Sequence, residues 1–188
     1  GGLRCRRRRA AESRVGRLKV DSAAVAIHDL NPEVRVVKFA ERLCRTNVDR
    51  IFEGFDVVVD GCDNFATRHA VNRACVAAKK PLVSGAAIRF DGQISVFDSR
   101  QPDAPCYDCL FPEADEADEL RCAVTGVFAP VTGIIGSMQA AEALKLIVGC
   151  GQSLGGRLLL LDGLAMGWRE IRIPRDAACV VCGGTARL

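Results

Sequence analysis

Apolar positions along this chain switch between the helical period and the strand period, and the switches predict the elements. KVDSAAVAIHDL, Lys19 to Leu30, puts Val20, Ala23, Ala24, Ile27 and Leu30 on one helical face, and Asn31-Pro32 ends it. VRVVKFA, Val34 to Ala40, predicts a strand. A short amphipathic segment, NVDRIFEGF, leads into the stretch around which the chain is organised, DVVVDGCDNFATR from Asp56 to Arg68. Three consecutive valines are too few for a helix and fit a strand buried on both faces, so a central parallel strand is expected. Gly61 then allows a tight turn, Asp63 or Asn64 is placed to cap a helix, and FATRHAVNRACVAAKK has apolar residues at helical spacing.

Lys79-Lys80-Pro81 stops that pattern, and PLVSGAA predicts a second buried strand. A turn at Asp91-Gly92 introduces QISVFD, whose alternation predicts a strand open on one side. FPEADEADELRC is acidic and poor in apolar residues, which predicts a surface loop. TGIIGSMQAAEALKLIV, Thr132 to Val148, is apolar on most faces with a few polar interruptions, and Gly149 and Gly151 end it: a core helix. RLLLLDG from Arg157 and WREIRI from Trp168 predict two further strands.

Composition narrows the picture in three ways. With 188 residues, 49% of them apolar, one domain with a sizeable core is expected. Charge is nearly balanced, 26 basic against 23 acidic residues, and much of the excess lies in the run from Arg4 to Ala10. With no aromatic residue interleaved, that run reads as a solvated tail, and neither nucleic acid nor a membrane is expected as partner. No apolar stretch of transmembrane length and no signal peptide were evident, so the expected location is cytoplasmic. Residues 1–16 show no periodicity and form an irregular basic segment; the domain is expected over 17–188.

The ten cysteines do not read as a disulfide framework. Cys106/Cys109 and Cys179/Cys182 form two CxxC pairs, and each can chelate from one tight turn. Two such pairs complete a closed four-sulfur site, so structural Zn²⁺ is expected, with Cys106, Cys109, Cys179 and Cys182 as ligands and no position left open for substrate. The long separation between the pairs makes the site a clasp inside a larger domain. A redox dithiol needs only one CxxC, at a helix start.

The order GRLKVDSAA, LNP, DVVVDGCDNFATR, PLVSGAAIRFDGQISVF, PCYDCLFP, GVFAPVTGIIGSMQAAEALKLI, CVVCG resembles the ThiF/MoeB/HesA adenylyltransferases, relatives of the ubiquitin-activating enzymes, from about Gly16 to Gly183. The resemblance implies a doubly wound, Rossmann-like α/β domain with a mainly parallel sheet. It implies ATP-dependent adenylation of the carboxyl-terminal Gly-Gly of a ubiquitin-like sulfur carrier, for molybdopterin or thiamin biosynthesis or tRNA thiolation. Asp63 matches the aspartate that positions Mg²⁺ and the triphosphate, and Lys19 the phosphate-contacting lysine of the GxxKV motif. Asn64 and Arg68 lie beside the nucleotide in this comparison. Cys122 falls where some relatives carry a cysteine that forms a thioester or acyl disulfide with the carrier. Asp115, Glu116, Asp118 and Glu119 disfavour its thiolate and Arg121 favours it. Cys62 is the second candidate, expected buried and inert; His28 and His69 are expected to be structural or surface residues. A homodimer and a separate sulfur donor are implied as well.

The sequence departs from the family at its amino end. The first strand, the GxGxxG phosphate loop, the acidic residue for the ribose and the Asn-Leu-x-Arg-Gln segment are not found in it. The expectation is therefore an amino-terminally truncated family member, and the alternative is a zinc-stabilised carrier-binding module or fragment without ATP turnover. A nicotinamide dehydrogenase would share the sheet but gives no reason for the two CxxC pairs.

Overall fold

The computed structural model describes residues 16–113 and 126–183. They fall into two compact units that divide between Asn47 and Val48. In the first, helix α1 spans Lys19–Leu30 and ends at Asn31, whose backbone N–H bonds Ile27 O and whose side chain accepts from Glu33 N. Lys38 pairs with Asp21 on α1 at 2.7 Å. The strand expected over 34–40 is absent: the segment is irregular, and Val34, Val36 and Val37 are exposed. Valine-rich alternation makes a strand only where a neighbour supplies the ladder, and no described residue does so.

The second unit is a five-stranded sheet in the order β1 to β5 with helices packed on it. Helix α2, Val48–Phe52, is closed by Lys80, whose Nζ donates to Phe52 O and Phe55 O at 2.6 Å each. A lysine at this end satisfies orphan carbonyls and complements the helix dipole. Strand β1 (Val58–Asp60), helix α3 (Phe65–Ala77) and strand β2 (Leu82–Ile88) form the predicted crossover unit, and β1 pairs with β2 in parallel. Strand β3 (Asp91–Phe97) returns antiparallel to β2, and β4 (Arg157–Asp162) and β5 (Gly167–Arg172) continue antiparallel.

The described sheet is thus mixed rather than mainly parallel. A parallel pair needs a crossover connection: α3 provides it between β1 and β2, whereas β3 and β4 pair antiparallel although two described helices lie between them in the chain. The hairpin turn also lies two residues earlier than expected. It is Arg89-Phe90, with Arg89 at φ +51°, and Asp91 and Gly92 are already in β3. Gly92 serves packing instead, since a Cβ there would sit 2.8–2.9 Å from Ile135 and Val131.

Those two side chains belong to α5, Ala129–Val148, which follows the short α4, Tyr107–Leu110. α5 starts three residues before the predicted Thr132, and Gly149 at φ +72° caps it. Val131 and Ile135 join Val83, Ile94, Val96, Leu154 and Leu161 in the core. The helix is not buried all round, because Leu144, Ile147 and Val148 are 60–69% exposed. With 20 residues and a mean hydropathy of 1.3 it is also long and apolar enough to cross a membrane, where the sequence reading found no such stretch. Two of its polar residues face the protein: Glu142 accepts Leu154 N at 2.9 Å, and Gln139 reaches into the sheet.

Candidate functional site

The carboxyl end of β1 is built from polar side chains buried in an apolar frame. Asp60, 4% exposed, accepts Cys62 N through Oδ1 at 2.8 Å, which folds the turn back on the strand. Its Oδ2 accepts Arg68 Nη1 at 3.0 Å and Ser84 Oγ at 3.3 Å. Arg68, 6% exposed, also donates to Ser84 Oγ, Gly85 O and Cys62 O. Gln139 Nε2 closes the network from α5, donating to Asp60 O at 2.6 Å and Val83 O at 3.2 Å. Gly85 makes room for it, since a Cβ there would lie 2.5 Å from Gln139 Cδ. Buried charges persist only when paired and hydrogen-bonded, and every partner here lies on β1, β2, α3, α5 or the turn between β1 and α3. The network therefore fixes that turn.

The turn carries Asp63 and Asn64. Asn64 caps α3, its Oδ1 accepting Thr67 N at 2.9 Å, and its Nδ2 donates to Asp63 Oδ1 at 3.3 Å. Asp63 is exposed. Of the two capping candidates read from the sequence Asn64 does the capping, which leaves the Asp63 carboxylate free to face outward. Both line a cavity of about 630 Å³ that runs from the end of β1 across β2 to β5. Phe65, Ile88, Tyr107, Leu160 and Trp168 give it apolar walls, while Asp63, Asn64 and Arg68 stand at the β1 end. A largely apolar cavity with a few convergent polar groups, at the carboxyl end of a parallel strand, is the usual place for a ligand in such sheets.

The other residues singled out in the sequence are placed as follows. Lys19 is the first residue of α1 and is exposed, in the other unit. Cys122 lies outside the described residues. Burial first, and then the Asp60 carboxylate, push the Cys62 thiol up to about 12, so it stays protonated at neutral pH. Cys44 is exposed, and its hydrogen bond with Thr46 holds its thiol below the ordinary value. Limited alkylation with iodoacetamide at pH 8 is therefore expected to label Cys44 at least about tenfold faster than Cys62, read by peptide mapping. Equal rates would contradict the half-buried placement of Cys62. His28 is exposed on α1 and His69 is buried on α3.

The second centre is the cysteine cluster. Cys106 and Cys109 flank the start of α4, and the chain returns from β5 to bring up Cys179 and Cys182. All four Sγ atoms lie within 4.8 Å of one another, with Cys106–Cys179 at 3.7 Å, Cys106–Cys109 at 4.0 Å and Cys109–Cys182 at 3.3 Å. Tetrahedral Zn–S bonds of about 2.3 Å place sulfurs about 3.8 Å apart, so the donor set and its spacing fit one zinc ion. Burial raises the Cys106 and Cys109 thiols, the latter to about 11, so without a cation these groups stay neutral.

The sequence places Asp60 beside Asp63 at the carboxyl end of the central strand, where ligands bind in such sheets; Ser84 and Gln139 carry no such signal, although Gln139 is visible as a polar residue in an apolar helix. Comparison with known proteins gives the family. The profile of the ThiF family matches residues 6–181. The chain is 46% identical over 172 residues to the adenylyltransferase and sulfurtransferase MOCS3 of Drosophila grimshawi, covering 90% of this chain and 38% of that protein. It is 42% identical over 170 residues to the SAMP-activating enzyme E1 of Haloferax volcanii, covering 90% of this chain and 62% of that protein. Crystal structures of E. coli MccB share the fold, one with a bound MccA variant at a TM-score of 0.78 and 21% identity, covering 93% of this chain and 54% of that one. The chain thus spans about two fifths of the length of the MOCS3 protein it matches. The match of the family profile to residues 6–181, most of the chain, places it in the ThiF family.

Proposed function

We propose that this chain is the adenylation domain of an enzyme that activates the carboxyl-terminal Gly-Gly of a ubiquitin-like sulfur carrier with Mg-ATP. The observation that carries the reading is the placement of Asp63 and Asn64, held by a buried network at the mouth of a long apolar cavity, in a chain of this family. A tail ending in two glycines has no side chains to exclude, and the cavity across β2 to β5 has room for it in extended form. A carrier carboxylate oxygen would attack the α-phosphorus of ATP; the bond to the bridging oxygen breaks, and pyrophosphate leaves with that electron pair.

In this reading the Asp63 carboxylate, a hard oxygen donor open to solvent, would hold Mg²⁺, and the cation would supply charge to offset that developing on pyrophosphate. Asn64 orients Asp63 and closes α3. Arg68 acts by position, because its guanidinium is taken up by Asp60, Ser84, Gly85 and Cys62. Lys19 is assigned to phosphate, and Cys122 to accepting the acyl group with release of AMP, both from the family resemblance. Cys106, Cys109, Cys179 and Cys182 would hold a structural Zn²⁺, with no part in the chemistry. A cytoplasmic homodimer that receives sulfur from another protein or domain completes the reading; the exposed Leu144, Ile147 and Val148 suit an apolar subunit contact.

ATP–pyrophosphate exchange in the presence of a Gly-Gly-ended carrier tests it. Asp63→Ala is expected to lower exchange about 10²- to 10³-fold while leaving the far-UV circular dichroism unchanged, since the side chain is exposed. Exchange that is independent of the carrier, or undiminished in the variant, would overturn the assignment.

A further inference from the structure

The helix that carries Arg68 also grips the first CxxC turn. His69, Asn72 and Arg73 fall at i, i+3 and i+4 on α3, the spacing that puts them on one face, and all three reach Asp108 between the two cysteines of α4. Asp108 is 4% exposed. Its Oδ1 accepts Asn72 Nδ2 at 3.1 Å and lies 2.7 Å from His69 Nδ1. Its Oδ2 lacks a hydrogen-bond partner and stands 3.9 Å from Arg73 Nη2. Asn72, 1% exposed, accepts the backbone N–H of Tyr107 through Oδ1 at 3.0 Å, and its amide works against the rise that burial imposes on the neighbouring Cys106 thiol. One buried amide therefore holds the turn between the two cysteines by its backbone and by its central carboxylate.

We propose that Asn72, oriented by Asp108 with His69 behind it, forms the outer layer of the Cys₄ metal site. It sets the Cys106 turn in ligating geometry before metal arrives and donates an N–H to the Cys106 thiolate once metal is bound. Two arguments support this. Four thiolates around one Zn²⁺ leave a net charge of about −2 in a half-buried place, so any donor aimed at sulfur stabilises the loaded form. An asparagine that is 1% exposed must also have its amide hydrogens satisfied; one goes to Asp108 Oδ1, and the proposal assigns the other to the Cys106 sulfur at the head of the turn it holds. Groups behind metal ligands commonly change affinity 10- to 100-fold when removed. The proposal rests on the reading that a metal occupies the cluster.

The test uses cobalt as the metal probe in the wild-type chain, Asn72→Ala and Asn72→Asp, with zinc affinity measured by competition against a chelating dye. Asn72→Asp keeps the side-chain volume and an acceptor for Tyr107 N–H but loses both donor hydrogens. Both variants are expected to bind zinc about 10- to 100-fold more weakly. The thiolate-to-cobalt charge-transfer band should move to lower energy, because a thiolate without its donor is more electron-rich, while the tetrahedral d–d bands persist. Should Asn72→Ala not yield folded protein, Asn72→Asp decides alone. Affinity and band energy equal to wild type would overturn the proposal, and weaker binding with an unmoved band would overturn the donation to sulfur. A wild-type chain that binds neither metal contradicts the metal reading itself, a distinct result.

Discussion

Replacing Cys179 by serine is expected to abolish stoichiometric zinc binding and to lower the melting temperature by on the order of 10 °C. The physical reason is topological. Cys109 and Cys179 are separated by a long stretch of chain that contains α5, β4 and β5, and a metal cross-link between them restricts the unfolded chain. Closing a loop of about 70 residues removes entropy equivalent to about 4 kcal/mol in the disulfide case, and a metal clasp acts on the unfolded chain in the same way. At 2–4 °C per kcal/mol for a chain of this size, the fall follows. Exhaustive chelation of the wild-type chain should reproduce the serine variant, and zinc should restore the first but not the second. Calorimetry with and without chelator measures it; unchanged melting on chelation would leave the cluster without a structural role.

Arg68→Ala is the second large effect, and it separates position from chemistry. Removing the guanidinium leaves the Asp60 carboxylate, 4% exposed, without its counter-charge, and orphans the acceptors at Gly85 O and Cys62 O. Breaking a buried pair by removing one partner typically costs about 3–5 kcal/mol, a large share of the 5–15 kcal/mol that holds a domain together. Arg68→Lys is expected to recover little of it, because a single ammonium cannot span Asp60, Ser84 and Gly85 as the planar fork does. Urea unfolding of the two variants beside Asp63→Ala measures the contrast: a large loss of stability for both Arg68 variants, and almost none for Asp63→Ala. Equal stabilities would mean that the network does not hold the turn.

These contrasts also explain what the sequence could disclose. The β1-α3-β2 unit was legible because its pattern is local: three valines, a glycine turn, an asparagine cap and a helical period follow one another directly. The Cys₄ clasp was legible because CxxC spacing states its own chemistry, whatever the distance between the pairs. The turn at Arg89-Phe90 was missed because Asp91-Gly92 has ordinary turn composition; what draws Gly92 into β3 is the close approach of Val131 and Ile135, packing that spans some forty residues. The predicted strand at 34–40 failed for a related reason, since alternation states which face is apolar and not whether a neighbour exists. Gln139 and Asp108 looked like polar interruptions in apolar or cysteine-rich segments. Their meaning lies in partners, Asp60 O for one and His69 and Asn72 for the other, that only the folded chain brings within reach.

α3 emerges as the element that joins the two centres of the second unit. Its amino end presents Asp63 and Asn64, its first turn carries Arg68 into the buried network, and its next residues hold the cysteine turn. A clasp that steadies α4 thereby steadies the helix behind the candidate nucleotide site, without touching any reacting atom.

Mass spectrometry of the carrier after incubation with Mg-ATP tests the central claim most directly. The account predicts that a Gly-Gly-ended carrier gains the mass of one AMP at its terminal carboxylate, that the adduct disappears with Asp63→Ala, and that a carrier lacking its last glycine gains nothing. A carrier that stays unmodified beside a folded, zinc-loaded chain with ATP bound would contradict it.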